Sequence, residues 1–248
     1  MTIEENIVTK CQICGKEANL ALEKNEYKIY RCSACDFMYV NPYPSDNDIT
    51  DFYNNNYRGI DVNFYPKAGS RQRRAFIKSF RFWKYLFNKQ ALDIGCGGGF
   101  MTNAFRRLGA EAHGVDISEI SIAYAKNRFP DCTFHCKSFA SMAKSGLVFD
   151  FIFTTEVLEH ISGTREFMDL IVSISRPGTI IYLATPDAGH DAVPVDLSSW
   201  IDICPPTHIL WFNQSNMELL FDNYGFKLVR AFTKKTPPLS MLFQRLDE

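Results

Sequence analysis

The sequence predicts an α/β protein built on an open, doubly wound parallel sheet, with a small cysteine-rich ribbon ahead of it. Three observations carry this expectation. Ala91-Leu92-Asp93-Ile94-Gly95-Cys96-Gly97-Gly98-Gly99-Phe100 is an apolar run that stops at a carboxylate and turns through four glycines; it re-emerges with Phe100, Ala104 and Leu108 at helical spacing. Beyond it, apolar strand-like runs alternate with helical stretches, the order that lays down a parallel sheet. Near the N-terminus, Cys11-Gln12-Ile13-Cys14 and Cys32-Ser33-Ala34-Cys35 place two C-x-x-C pairs 17 residues apart.

Composition bounds the answer. The chain has 248 residues, 46% hydrophobic and 22% charged, which suits one full-sized domain with room for a small second one. A net charge of −1 gives no global attraction to nucleic acid or to an anionic membrane. No apolar run reaches the ~20 residues of a membrane span, and no signal peptide is read at the N-terminus, so a cytoplasmic location is expected. Eight cysteines in that compartment point to metal ligands and free thiols rather than disulfides.

The elements follow in order. Cys11, Cys14, Cys32 and Cys35 have the spacing of a four-cysteine zinc site, which needs two thiolates on each of two turns to complete a tetrahedron. All four positions are filled, so the zinc is expected to be structural; a disulfide pair or redox use is the alternative. Between the knuckles, Leu20 to Arg31 reads as a hairpin carrying Tyr27, Ile29 and Tyr30. Residues 36–66 read as a linker, marked by Pro42, Pro44 and the asparagines 54–56, with one short helix near Ile49 to Tyr53. Tyr53 and Tyr57 are either substrate-pocket residues or packed aromatics.

Residues 67–89 hold eight Lys/Arg and no Asp/Glu. Phe76, Phe80, Trp83 and Phe87 form one apolar stripe of a helix, while Arg74, Lys78 and Arg81 occupy another. Such a helix either lids the site with its basic face toward a phosphorylated substrate, RNA or a membrane surface, or packs with that face in solvent. The second reading is preferred, because charge runs mark exposed faces. The domain boundaries read are 1–45 for the ribbon, 46–89 for the linker and basic helix, and 90–248 for the main domain.

Within the main domain, Ala110 to Asp116 is a second strand ending in an acid 17 residues after Gly99, and 119–128 is a helix. Thr133 to Lys137 is the third strand. Asp150 to Thr155 is a buried parallel strand leading into Glu156-Val157-Leu158-Glu159-His160-Ile161. A helix over Thr164 to Ser175, a turn Arg176-Pro177-Gly178-Thr179 and a strand Ile180 to Ala184 come next. A long loop runs from Thr185 past His190 to His208, and loops of that length are usually functional. Asn213 caps a helix over 216–224 that Gly225 ends, and Phe226 to Val229 begins a final strand.

The ligand of the glycine loop is read by exclusion first. Phe100 stands where a dinucleotide fingerprint has its third glycine, and no Lys-Ser/Thr pair follows for a phosphate-cradling loop. The Asp93-x-Gly95-x-Gly97-x-Gly99 spacing resembles the first motif of class I S-adenosylmethionine (SAM) dependent methyltransferases; a glycine turn in an unrelated α/β protein is the alternative. The resemblance implies the Rossmann-like doubly wound sheet of that family, with Asp93, Gly95, Cys96, Gly97 and Gly99 around the cofactor. It also implies Asp116 on the ribose hydroxyls and Ile117 on the adenine. The family usually has an acid near the end of the third strand. Ser138 and Phe139 stand there instead, and Thr155 closes the fourth strand. The Glu156–Ile161 segment is similar to the fourth-strand motif of several such enzymes, including ubiquinone-biosynthesis O-methyltransferases. The ribbon followed by Asn41-Pro42-Tyr43-Pro44 and Phe52-Tyr53-Asn54-Asn55-Asn56-Tyr57 resembles the N-terminal region of bacterial methyltransferases acting on sugars, glycans and small metabolites.

Transfer of a sulfonium methyl to a hydroxyl needs an aligned acceptor and a group that removes or polarises its proton. His160, His208 and Glu159 are the candidate catalytic residues, a histidine being suited to a base by its pKa near ~6.5. His160 is otherwise a histidine holding backbone at a helix start. A third reading is a Mg²⁺ site: Glu156, Glu159 and His160 at i, i+3, i+4 share one face of a helical turn. The small-RNA 2′-O-methyltransferases have a similar Glu-x-x-Glu-His set with a further histidine, a place His208 would take. The expected function is SAM-dependent O-methylation of a sugar, glycan or small metabolite. RNA methylation and a non-catalytic SAM-fold module are the alternatives, and oligomeric state is left open.

Overall fold

The computed structural model describes residues 9–44, 65–232 and 238–247. The expected helix at Ile49–Tyr53 and the tyrosines Tyr53 and Tyr57 lie outside the described residues.

The ribbon begins with β1 (Thr9–Lys10), β2 (Glu17–Lys24), β3 (Tyr27–Cys32) and β4 (Met38–Val40), each antiparallel to the one before. Asn25 and Glu26 take φ of 51° and 67°, the two left-handed residues that a tight two-residue hairpin turn requires. Residues 38–40 were expected in a linker. They form a strand because Phe37, Met38, Tyr39 and Val40 are all buried and the backbone pairs on both edges.

Next come α1 (Ala68–Ser79), a 3₁₀ turn at Phe80–Phe82 and α2 (Trp83–Leu86). The main domain follows as β5 (Gln90–Ile94), α3 (Phe100–Arg107), β6 (Glu111–Asp116), α4 (Glu119–Arg128), β7 (Thr133–Cys136), α5 (Phe139–Ala143) and β8 (Phe149–Thr155). A 3₁₀ turn at Leu158–His160, α6 (Thr164–Ser173), β9 (Ser175–Thr185), β10 (Leu210–Trp211), α7 (Gln214–Asp222), β11 (Phe226–Ala231) and β12 (Leu239–Arg245) complete it.

The seven-stranded sheet has the order β11-β12-β9-β8-β5-β6-β7, parallel from β9 to β7 with an antiparallel hairpin at the other edge. The fold is thus the expected Rossmann-like sheet with its terminal hairpin complete. Chain order reverses at β5, with β6 on one side and β8 on the other, which opens a crevice at the carboxyl ends of those strands. Phe151, Ile152 and Phe153 on β8 are fully buried in succession, as a strand covered on both faces requires. Thr179 closes the turn before the buried part of β9: its Oγ1 donates to Phe149 O at 2.7 Å and accepts from Arg176 N at 3.0 Å.

The ribbon does not stand apart. β10 joins its sheet beside β4, pairing Leu210 with Tyr39 and Trp211 with Met38. Asn216 and Asn223 of the α7 region donate to Cys35 O and Ile13 O at 3.1 and 3.0 Å. The loop 186–209 also docks there, with Lys24 Nζ on Ser198 O at 2.7 Å and Trp200 and Ile203 buried.

Residues 67–89 differ from expectation by one position. Phe80, Trp83 and Phe87 are exposed at 56%, 54% and 54%, while Ala75, Ser79, Phe82 and Leu86 are buried. Both sets have the spacing 4, 3, 4. Small Ala75 and Ser79 let α1 approach the domain closely. Phe82 then fills the space between Phe151, Phe153 and Tyr182, with ring centroids 5.3, 5.8 and 4.7 Å away.

Candidate functional site

The glycine loop is shaped by two needs. Gly95, Gly97 and Gly99 have φ of 71°, 49° and 77°, the left-handed region that disfavours side chains. A Cβ on Gly98 would fall 2.6 Å from the Tyr65 ring, which lies over the loop. Asp116 at the end of β6 holds the loop in place, accepting from Gly97 N and Ser118 N at 2.9 Å each. Asp93 at the end of β5 accepts from Thr102 N at 3.1 Å and Thr102 Oγ1 at 2.8 Å, tying the strand to α3. Burial pushes the Asp93 carboxyl up to about 7, against those two hydrogen bonds.

A cavity of about 290 Å³ lies between this loop and α1, lined by Asp93, Gly95, Cys96, Phe100, Met101, Phe153 and Thr155 on one side. Arg71, Arg74, Ala75 and Lys78 line the other. The basic helix therefore does cover the crevice, through Arg71, Arg74 and Lys78 at i, i+3, i+7. Of the basic stripe expected to face solvent, Arg74 and Arg81 are exposed, while Lys78 is half-buried over the cavity. Lys78 Nζ lies 5.8 Å from the centre of the Phe153 ring; burial raises the carboxyls of both Asp93 and Glu156, and the Lys78 charge weakly opposes that rise.

Of the residues expected around the cofactor, Asp93, Gly95, Cys96 and Thr155 line the cavity; Gly97, Gly99 and Asp116 frame the loop beside it. Ile117 follows Asp116 with 54% of its surface exposed. Ser138 caps α5, accepting from Ser141 N at 3.3 Å, and Phe139 packs edge-on against Phe167 at 5.7 Å. Sequence reasoning missed Tyr65 and Arg71; the 71, 74, 78 periodicity was the available signal for the arginine.

After β8 the chain enters Glu156 with φ 55° and then a 3₁₀ turn, Leu158–His160, rather than the helical turn expected. Val157 packs against Gly95 in place of a side chain there. The ligand atoms of Glu159, His160 and His208 come within 4.8 Å of one another, and Glu156 is not in that group. His160 Nδ1 is 2.6 Å from Thr207 O and His208 Nδ1 is 3.0 Å from Asp202 O. A carbonyl only accepts, so each Nδ1 carries its proton and each Nε2 is an acceptor in the neutral ring. Glu159 is fully buried. Its Oε2 accepts from Thr185 Oγ1 at 2.9 Å, and its Oε1 has no hydrogen-bond partner, lying 3.9 Å from His160 Nε2. Burial first, and the Glu156 charge second, push the Glu159 carboxyl up to about 8. His190 lies elsewhere on the loop, its Nδ1 accepting from Ala192 N at 3.0 Å.

The four ribbon cysteines also converge, their sulfurs all within 4.8 Å of one another. The two knuckles match: Gly15 N bonds Cys11 O and Asp36 N bonds Cys32 O, while Ile13 N and Ala34 N each donate to the first sulfur of their pair at 3.4 Å. Gly15 and Asp36 follow the knuckles with φ of 71° and 58°. Backbone donors already aimed at sulfur fit thiolates gathered on a cation.

A family model described as a methyltransferase domain matches residues 70–231. The ubiquinone biosynthesis O-methyltransferase of Rhizobium johnstonii is 34% identical over 100 residues, 39% of this chain and 40% of that protein. That of Mesorhizobium japonicum is 37% identical over 98 residues, 38% and 39% of the two chains. The chain thus spans about two fifths of the length of the curated relatives it matches. Magnesium protoporphyrin IX methyltransferase of Synechocystis PCC 6803, solved with bound SAH, superposes with a TM-score of 0.56 at 18% identity, covering 81% of this chain and 100% of that one. The CcbJ methyltransferase of Streptomyces caelestis gives 0.57 at 14% identity, covering 80% and 96%. Likeness at such identities shows the fold alone, whereas the family match spans well over half of the sequence. The chain belongs to the methyltransferase domain family.

Proposed function

We propose that this protein is a SAM-dependent O-methyltransferase acting on a sugar, glycan or other small metabolite hydroxyl. The observation that carries the reading is the juxtaposition, at the carboxyl ends of β5 and β8, of a glycine loop held by Asp116 of β6 with the segment, packed on Gly95 through Val157, that leads into the Glu159, His160 and His208 cluster. SAM supplies an electrophilic methyl on sulfur. The chain's part is to hold that donor along Gly95–Gly99, with Asp116 exchanging its backbone contacts for ribose hydroxyls and Ile117 beside the base. Lys78 or Arg74 can meet a carboxylate at the opposite wall of the cavity. His160 Nε2, kept as the acceptor by its Nδ1 bond to Thr207, is placed to take the proton of an acceptor hydroxyl. The test is a screen of nucleotide sugars, glycans, small phenols and RNA with methyl-labelled SAM. Label transfer to hydroxyls of the first three supports the reading; transfer to RNA alone, or none with intact SAM binding, refutes it.

One observation favours a second form of the same reading, in which a divalent cation such as Mg²⁺ assists. Glu159 Oε1 is buried without a partner and faces two imidazoles whose other nitrogens are already oriented by carbonyls, a donor set that fits a cation. The cation would be held by Glu159, His160 and His208 and would polarise the acceptor oxygen. Loss of activity in EDTA with recovery on Mg²⁺ but not Zn²⁺ supports this form; indifference to EDTA leaves His160 as base. We further propose zinc at Cys11, Cys14, Cys32 and Cys35. It would act structurally, because those side chains fill all four tetrahedral positions.

A further inference from the structure

We propose that the outer face of α1 and α2 is a docking surface for an anionic lipid bilayer. The same segment whose inner face closes the cavity turns an unusual set of side chains outward. Ile77, Phe80, Trp83 and Phe87 are 61%, 56%, 54% and 54% exposed and follow one another at steps of three, three and four residues. They therefore form one row along the segment. Large exposed apolar side chains standing singly need no explanation, but a contiguous row of four does. Phe80 meets the Phe76 ring edge-on at 75° and Trp83 lies tilted at 46° to Phe87, so the rings of the row contact neighbouring rings.

The charge around the row selects the occupant. Arg73, Arg81, Lys84 and Lys89 are exposed beside it, and residues 67–89 carry eight cations and no acid, on a chain whose net charge is −1. Aromatic and aliphatic side chains rimmed by Lys/Arg are the composition of segments that lie in the headgroup region of a bilayer. There Trp favours the interface, and each cation near an anionic leaflet adds ~1 kcal/mol. A second copy of this chain fits less well, because a two-fold contact would set the same cations against each other. Base stacking fits less well too, since Ile77 has no ring and the aromatic rings stand tilted to one another. No helix of the described residues is long and apolar enough to cross a membrane; the contact proposed is a peripheral one. The proposal is independent of the methyl-transfer reading.

The experiment is flotation of the full-length protein with phosphatidylcholine vesicles and with vesicles containing phosphatidylglycerol. Trp83 is a built-in reporter, since Trp200 and Trp211 are 5% and 0% exposed. Expected are at least ~10-fold stronger partitioning to the anionic vesicles, a blue shift of tryptophan emission on binding, and weakening by salt. Phe80→Ser/Trp83→Ser and Arg81→Glu/Lys84→Glu should each lose the partitioning while keeping the wild-type circular dichroism and a cooperative melting transition. Equal or absent partitioning to the two vesicle types overturns the proposal, as does full partitioning of the aromatic variant. An oligomer lost in that variant would assign the face to a second copy, and a single-stranded oligonucleotide held by it would assign the face to nucleic acid; either overturns the proposal.

Discussion

Replacing Phe82 and Trp83 one at a time decides which of two adjacent stripes anchors the helix over the cavity. Phe82 is 1% exposed and sits among Phe151, Phe153 and Tyr182, three rings of the sheet's core. Trp83 is 54% exposed, and among the described residues its ring meets that of Phe87, itself 54% exposed. Truncating a fully buried phenylalanine loses its transfer free energy and leaves a cavity, ~3–5 kcal/mol together. Truncating the tryptophan removes surface that is already half in water, ~1 kcal/mol or less. For a chain of this size the Phe82→Ala loss corresponds to a fall in melting temperature of ~6–20 °C, against ~4 °C at most for Trp83→Ala. Urea unfolding followed by far-ultraviolet circular dichroism measures both without relying on tryptophan emission. Equal losses, or a larger loss for Trp83→Ala, would refute the burial register described for residues 75–87.

Three other outcomes are expected. Asp93 titrates near 7 in the fold and near ~3.9 in the unfolded chain, so the folded state keeps a proton that the unfolded state releases, and stability falls as pH rises through that window. Asp93→Asn keeps an acceptor for Thr102 and removes the penalty. Its stability relative to wild type should rise by ~2 kcal/mol or more between pH 5 and pH 8, and a constant difference in urea titrations would contradict this. Protein purified without added metal should contain one zinc per chain by elemental analysis, and Cys32→Ser should lose it with much of the ribbon's stability; full zinc in that variant would remove the assignment. His160→Ala should leave SAM affinity within a few-fold yet slow methyl transfer ~10²-fold or more, whether the histidine is base or ligand. Undiminished turnover would leave alignment of the substrates as the mechanism.

Much of this was legible because local chemistry and fold agree. The Asp93–Gly99 turn announces a strand, a close-approach loop and a helix in ten residues. The cysteine pairs announce their own convergence, and Asn213 its helix, with the Asn216 reciprocal bond as a capping box. Three features were not legible. The stripe of residues 67–89 shifted by one because two apolar series with identical spacing run side by side, and only the neighbouring sheet chooses between them. The Glu156–His160 segment shows helical spacing, yet Glu156 takes a left-handed φ and the turn tightens to 3₁₀, so Glu156 leaves the group that His208 enters. The joining of β10 to the ribbon pairs residues about 170 apart, a contact that no window along the chain contains.

The claim that the Gly95–Gly99 loop and Asp116 hold SAM is tested most directly by calorimetric titration of SAM into the wild-type protein and into Gly97→Val and Asp116→Ala. Saturable binding to one site per chain in the wild type, lost in both folded variants, is the predicted result. Absence of saturable binding to the wild type, or unchanged affinity in both variants, would contradict the account.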